Sequence, residues 1–534
     1  MFLSKKLSRP FPWFWIGMAA VFALSVYLRF WGLSRFNTLV FDEVYYAKFA
    51  NDYLTHTQFF NAHPPLSQYL IAIAMWIGSH IPIGGDTVNI LTGSWRSTWS
   101  YRWLNALTGS FIPLVVAGIA YQLSHRRSYA LIAAIFAAAD GLFLVESRYA
   151  LNNVYLVILG LLGQWFLLLA LQHNGRKRQF WLVGAGIGFG ASAAIKWNGL
   201  WFLLGAYLIW IAAWALQWMQ FLPGQGDKGT RGQGDKGAEE QNAARGSRGE
   251  SKNPTTSVVS SRQSRPTHWL PHTPQHSPLE NLTQLNLLSI LFYLGVIPVL
   301  VYSISWIPHL QIVPQPGFWE MQKQILEYHQ RIGSGAKVHP YCSAWYTWLL
   351  MLRPVAYFYK TSHSLSEPVP IVAPPLPAES AKVIYDVHAM GNPLLWWFST
   401  AAIAFLFLRL VKSFVQRGAL FEKTRETKKS ELPITNTWIA LYLILNWLAN
   451  LLPWIRVTRC TFIYHYMGSS VFAALALAWL VDHWLRSLHL SLRMLGVTAI
   501  FLVLLALVFW MPLYLGLPLS PESYKMRLWF RSWI

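Results

Sequence analysis

Charge is scarce in this chain. Only 12% of its 534 residues are charged, about half the share of an ordinary soluble domain. Acids are the rarer sign, with 22 Asp and Glu against 43 Lys and Arg, a formal balance of +21. Such scarcity excludes a cytosolic multidomain enzyme. Cysteine is scarcer still: two residues exclude a disulfide framework or a Cys-rich zinc scaffold. A phosphate-cradling Gly loop, a metalloprotease helix motif and a Ser nucleophile elbow are also missing. What remains is apolar. Hydrophobic types make up 54% of the chain and the mean hydropathy is +0.32, which rules out disorder as a global description. The basic excess could suggest nucleic acid. It lies mainly between apolar blocks, however, and reads more simply as control of membrane topology, with no nucleic-acid partner.

The apolar blocks are long enough to cross a bilayer. Candidate spans are Phe11–Trp31, Tyr101–Leu123, Ala130–Val145, Leu151–Leu171, Phe180–Ile195, Gly199–Trp218, Leu285–Ile307, Pro393–Val411, Thr437–Leu452, Phe462–Leu485 and Met494–Leu515. The first could pass for a signal peptide, but it lacks a small-residue cleavage site and reads as a retained helix. The pattern predicts an all-α polytopic membrane protein of about eleven transmembrane helices. With the N-terminus inside, every inside loop carries a Lys/Arg cluster: His125-Arg126-Arg127, Arg176-Lys177-Arg178, the polar insert, Lys412 to Lys429, and Arg486 to Arg493. The short outside loops hold isolated Arg148, Lys196, Arg456 and Arg459. This is the positive-inside arrangement of a multi-pass cell-membrane protein, and it places the tail Pro518–Ile534 outside.

Three regions follow. Residues 1–220 form an N-terminal transmembrane region whose first outer loop covers 32–100. Residues 221–280 form an insert with Gly-Gln-Gly-Asp-Lys-Gly at Gly224–Gly229 and again at Gly232–Gly237. Its composition predicts a disordered cytoplasmic loop. Residues 281–534 form a C-terminal transmembrane region with a large outer loop, 308–392. That loop contains a predicted interfacial helix, Phe318–Ile332, with Trp319, Ile325, Leu326 and Ile332 on its apolar side. It also contains a Pro-rich stretch, Glu367–Glu379, that cannot be helical. Cys342 and Cys460 both fall outside. An oxidising compartment permits a bond between them; the plainer alternative is two unrelated small apolar residues.

The candidate chemistry begins at Asp42-Glu43, in Val40-Phe41-Asp42-Glu43-Val44-Tyr45-Tyr46. Adjacent acids in an aromatic setting at a membrane surface must find cations or shift their pKa; otherwise they are solvated loop acids. Arg29, late in the first helix, and Arg102, opening the second, are natural partners, unless they snorkel to headgroups. His63-Pro64-Pro65-Leu66 lies in the same loop, where a lone His before Pro-Pro is more often a turn residue. An acid pair plus one His is too little for a metal site. His339-Pro340-Tyr341, Arg353-Pro354 and Gly391-Asn392-Pro393 mark turns.

These pieces together resemble the protein O-mannosyltransferases, membrane glycosyltransferases of the GT-C type. Phe41-Asp42-Glu43-Val44 with His63-Pro64-Pro65-Leu66 resembles that family's first-loop signature. Ser147-Arg148-Tyr149-Ala150-Leu151 and Lys196-Trp197-Asn198-Gly199-Leu200 resemble two further stretches. His339-Pro340-Tyr341, with Trp345, Trp348, Arg353-Pro354 and Tyr357-Phe358-Tyr359, is similar to the large loop of bacterial members. Gly391-Asn392-Pro393 with Trp396-Trp397, and Leu452-Pro453-Trp454 with Arg459, Phe462 and Tyr464, resemble the C-terminal signatures. The resemblance covers nearly the whole chain except the insert. It departs at Asn153, where the family usually has Asp, and it lacks the β-trefoil-bearing loop of eukaryotic members.

The resemblance implies a GT-C fold with outer-face loops carrying the site. It implies transfer of mannose from a polyprenyl-phosphate carrier to Ser or Thr of secreted or membrane proteins, with inversion. Asp42 is then the general base and Glu43 a partner that fixes the site. Arg29, His63, Arg102, Arg148, Lys196, His339 and Arg459 are candidate substrate-binding residues. The implied partners are the lipid-linked donor, protein acceptors and membrane lipids, with no cofactor or metal and an open oligomeric state. A related GT-C enzyme acting on a lipid, or a secondary transporter with internal repeats, are the competing readings.

Overall fold

The computed structural model describes residues 12–83, 88–89, 93–221, 278–362, 383–422 and 434–534. The repeats at 224–237 and the Pro-rich stretch 367–379 lie outside the described residues. Ten of the eleven predicted spans each correspond to one continuous helical run, and that over 130–145 corresponds to two helices. Among the described residues, nine helices are long and apolar enough to cross a membrane, from Trp13–Phe30 to Leu490–Leu515. A tenth arises if Arg127–Ala138 and Gly141–Arg148 count as one span.

That last pair corrects the expectation of one straight helix over 130–145: the two pieces are bent by 58°. Asp140 is the reason. Its side chain caps the second piece by accepting from the Leu142 and Phe143 amides at 2.9 and 3.2 Å, and a capped N-terminus starts a new helix. The remaining predicted span is the helix Gly175–Ala193. It falls short in hydropathy because it begins with Arg176-Lys177-Arg178 and carries Gly184, Gly186, Gly188 and Gly190. Those glycines admit neighbouring backbone: a Cβ on Gly190 would lie 2.7 Å from the Pro298 backbone.

Burial distinguishes the centre of the bundle from its rim. The span Ile463–Leu485 is 94% buried, whereas Leu287–Ile312 is 17% buried and presents Leu288, Val299 and Ile304 outward. At one end of the bundle the fully described connections, such as those at 125–126, 172–174 and 486–489, are short and mostly basic. There Asp482 accepts from Arg126 at 3.3 Å and from Ser128.

The opposite end carries the long loops. The first loop folds as two helices, Glu43–Leu54 and Leu66–Gly78. The large loop folds as a helix, Phe318–Arg331, a single turn, Trp345–Trp348, and an antiparallel hairpin of Val355–Ser362 with Val383–Ala389. The hairpin adds strands to a fold expected to be all helical. Its register shifts between Ala356 and Phe358, so Tyr357 stands unpaired as a bulge. The predicted interfacial helix exists, but its inner face is different. Met321 and Ile325 pack against Trp306 and Val313, while Trp319 is 82% exposed. Trp319 lies two residues from Met321, on a different side of a 3.6-residue repeat.

Cys342 and Cys460 are joined as a disulfide, with Cα atoms 5.2 Å apart across 118 residues of sequence. Hydrogen bonds flank it: Ser343 N to Thr461 O at 2.8 Å and Cys460 N to Gly333 O at 2.8 Å. The large loop is thereby tied to the segment that opens the Ile463–Leu485 span.

Candidate active site

The site is assembled on a buried frame of charge. Trp13–Phe30 ends in carbonyls that no helical amide can satisfy. Arg148 reaches them from another helix, donating through Nη1 to Leu28, Arg29 and Trp31 at 2.8–3.0 Å and through Nη2 to Gly32 at 2.9 Å. Gly32 has φ +61°, and a side chain there would meet the Arg35 guanidinium. Arg102 does the same for the next turn, donating to the carbonyls of Leu33, Phe36 and Thr38 at 2.7–3.2 Å. Its remaining edge forms a bidentate pair with Glu43, at 2.9 and 2.7 Å. Glu43 also accepts from the Val40 and Ala150 amides, each at 2.8 Å. Both partners of this ion pair are fully buried. A buried carboxylate met by four donors is well satisfied.

This frame holds the chain just before Asp42. Phe41 adopts φ 52°, an uncommon conformation for a bulky residue. Its ring stacks on Tyr357 at 4.1 Å with a 6° interplanar angle. The left-handed turn sends neighbouring side chains apart. Glu43 goes into the frame, while Asp42 faces a cavity of about 490 Å³. Among the described residues, no protein group donates a hydrogen bond to the Asp42 carboxylate.

The cavity gathers residues from four parts of the chain: Asp42 and His63 from the first loop, Lys196 from the corner after Gly175–Ala193, His329 from the large-loop helix, and Arg459 with Tyr464 and His465 from the last loop. Burial pushes the Asp42 carboxyl up to about 6, with Lys196 pulling against it. Burial pushes the Lys196 ammonium down, against the pull of Asp42 and Glu146. Lys196 Nζ donates to Asn153 Oδ1 at 3.0 Å and lies 5.5 Å from the Tyr464 ring centre. Arg459 donates to its neighbour's carbonyl, Cys460 O, at 3.0 Å. His63 and His329, with rings 5.1 Å apart, are held below the usual imidazole range, chiefly by burial and further by Lys196 and Arg459. Both are therefore neutral at pH 7. Among the described residues no three His, Cys, Asp or Glu side chains are grouped to hold a metal ion. The cavity thus presents one unsatisfied carboxylate, two cations and neutral imidazoles. It suits an anionic group beside a neutral, protic one.

Of the residues expected to bind substrate, His63, Lys196 and Arg459 line the cavity with Asp42. Arg29, Arg102, Arg148 and His339 do not. Arg29 bonds Ser25 Oγ of its own helix at 2.7 Å. Arg102 and Arg148 satisfy backbone carbonyls. His339 accepts from the Tyr341 amide at 3.2 Å and packs on Phe462. Sequence reasoning missed His329, His465, Glu146 and the structural part of Tyr357. Glu146 stands two residues before Arg148, and the alternation of Val355, Tyr357 and Tyr359 was a legible strand signal.

Comparison with known proteins places the chain in a family. The family described as "Dolichyl-phosphate-mannose-protein mannosyltransferase" matches residues 19–226, and the "C-terminal four TMM region of protein-O-mannosyltransferase" matches residues 315–533. A polyprenol-phosphate-mannose–protein mannosyltransferase of Mycolicibacterium smegmatis is 22% identical over 97% of this chain and 93% of its own length. Its counterpart in Corynebacterium glutamicum is 22% identical over 96% and 92%. The solved Saccharomyces cerevisiae protein O-mannosyltransferase Pmt1–Pmt2 complex, bound to the sugar donor, shares the fold. Its TM-score is 0.68 at 13% identity, over 99% of this chain and 93% of that one. Two family profiles covering both halves of the chain and a shared fold over its whole length leave one assignment: the chain belongs to the protein O-mannosyltransferase family and is a polytopic membrane glycosyltransferase of the GT-C fold.

Proposed function

We propose that this chain transfers mannose from polyprenyl-phosphate-mannose to Ser or Thr hydroxyls of proteins, with Asp42 as general base. The observation that carries the reading is the opposition within one cavity: an unsatisfied carboxylate with a raised pKa, facing Lys196 and Arg459. A second, apolar groove of about 590 Å³ shares Trp197, Asn198 and Trp201 with the cavity and runs along Leu203, Pro298 and Val299. It fits a polyprenyl tail whose phosphate enters at the cationic end.

The chemistry follows from these placements. Asp42 takes the proton of the acceptor hydroxyl as its oxygen attacks the anomeric carbon. The bond from that carbon to the phosphate oxygen breaks on the opposite side, so the configuration inverts. The electron pair leaves with the phosphate, whose charge is met by Lys196 and Arg459. The neutral imidazoles of His63 and His329 can bond sugar hydroxyls without competing for the phosphate.

We place the cavity on the outer face of the plasma membrane, with the N-terminus in the cytoplasm. The basic clusters at the opposite end of the bundle support this orientation, as does a disulfide on the cavity's own side, since disulfides persist in oxidising compartments. The test is purified enzyme with labelled polyprenyl-phosphate-mannose and Ser/Thr peptides. Label should enter the peptide, in the anomeric configuration opposite to the donor's. Label entering only lipid acceptors, or retention of configuration, would refute the reading.

A further inference from the structure

We propose that Tyr357 is a positioning residue that aligns the base and the donor-binding lysine at once, its ring acting on Asp42 and its hydroxyl on Lys196. The inference rests on the roles proposed above for those two residues.

Tyr357 stands at the bulge of the large-loop hairpin. A bulge releases a residue from the ladder and re-aims its side chain. The released side chain is 5% exposed and touches two systems. Its ring lies flat on Phe41, the residue whose left-handed backbone turns Asp42 toward the cavity. Hydrogen bonds between Val40 and Glu43 close the turn that carries Phe41 at φ 52°, and the Tyr357 ring packs flat on the side chain this turn presents. The Tyr357 hydroxyl donates to Glu146 Oε1. Glu146 Oε2 accepts from Asn153 Nδ2 at 3.1 Å, and Asn153 Oδ1 accepts from Lys196 Nζ at 3.0 Å. Glu146 is fully buried and Asn153 and Lys196 nearly so.

This chain of bonds has a direction. An ionised carboxylate only accepts and an ammonium only donates. The side chain between Glu146 and Lys196 must therefore donate at one end and accept at the other. An amide does both. The asparagine at 153 thus has a physical reason in this chain: a second carboxylate there would confront Glu146.

The experiment uses full-length enzyme, with donor KM and kcat measured at saturating peptide. Tyr357→Phe keeps the ring and removes the hydroxyl. Loss of a hydrogen bond to a charged group predicts a rise of roughly tenfold in donor KM, with kcat little changed. In a Lys196→Ala background the same substitution should add nothing, because its only route is gone. Tyr357→Leu should raise donor KM equally and also lower kcat, since the stack on Phe41 is lost. Glu146→Gln removes the charge that orients the Asn153 amide, because the new amide can offer Asn153 either its oxygen or its N–H while the Tyr357 hydroxyl donates or accepts, so donor KM should rise. Glu146→Gln with Asn153→Asp restores a continuous donor-to-acceptor chain and should bring donor KM back toward wild type. This pair also serves if Tyr357→Phe does not fold.

A Tyr357→Phe effect of equal size with and without Lys196 would overturn the inference. So would a double variant at 146 and 153 no better than Glu146→Gln alone. If Lys196→Ala leaves donor KM unchanged, the donor assignment itself fails, and the inference falls with it for that separate reason.

Discussion

Asp42 and Glu43 are neighbours, yet they belong to two regions of opposite character. Glu43 sits in the frame, where four protein donors meet its carboxylate and Arg102 and Arg148 are occupied by backbone carbonyls. Asp42 sits in the cavity, where no described protein group donates to it and its cations are shared out sparingly. Satisfied charge builds structure, because a buried ion with all its partners in place resists movement. Unsatisfied charge beside open volume is available to a substrate. A carboxylate's burial alone does not separate these cases; its partners do.

The largest expected break in this contrast is Asp42→Asn. It keeps the shape and removes the base, so kcat should fall on the order of 10²–10⁴-fold. Thermal stability should hold, because among the described residues no hydrogen bond depends on that charge. Measuring both on one preparation separates catalysis from folding. Near-normal turnover would return Asp42 to the role of a solvated loop acid.

Arg102→Ala should show the reverse pattern. It leaves Glu43 charged, buried and unpaired, which costs about 3–5 kcal/mol. The expected readout is a strongly lowered melting temperature and poor recovery from the membrane. A folded, stable variant with only a weakened donor affinity would instead make Arg102 a substrate ligand.

Arg459→Ala should leave folding nearly intact and raise donor KM roughly tenfold, the value of a lost bond between charged partners. Unchanged donor KM would leave Lys196 as the sole cation for the phosphate. The smallest effect is with pH. The Asp42 carboxyl is raised to about 6, so it is protonated and unable to accept a proton below that value. At saturating substrate, kcat should climb through pH 6 and level off above it. The Asp42→Asn variant's residual rate should lose this rise.

Much of the architecture was legible in the residues. Ten of the eleven predicted spans matched a continuous helical run because hydropathy acts over a window of about 20 residues, and helical backbone satisfies itself locally. The family resemblance also held, since it rested on short contiguous motifs. The bend at Asp140 was missed although the capping residue was visible, because apolar content on both sides masked it. The hairpin was missed because its strands are separated by a Pro-rich stretch, and a long gap hides pairing. Among the arginines, sequence offered no means of telling a phosphate ligand from a carbonyl clamp. Arg102, Arg148 and Arg459 all stand at the ends of apolar runs.

The sequence by itself determined that this chain spans a membrane, which loops are long, and where the scarce acids fall. Those properties are written in runs of adjacent residues. Only the tertiary structure decided which charges are matched and which are left open. Glu43 meets Arg102 across 59 positions, and Tyr357 meets Glu146 across 211. No local rule connects residues so far apart. Their pairing is set by the packing of whole helices, which brings a few polar atoms within 3 Å and leaves Asp42 facing the cavity.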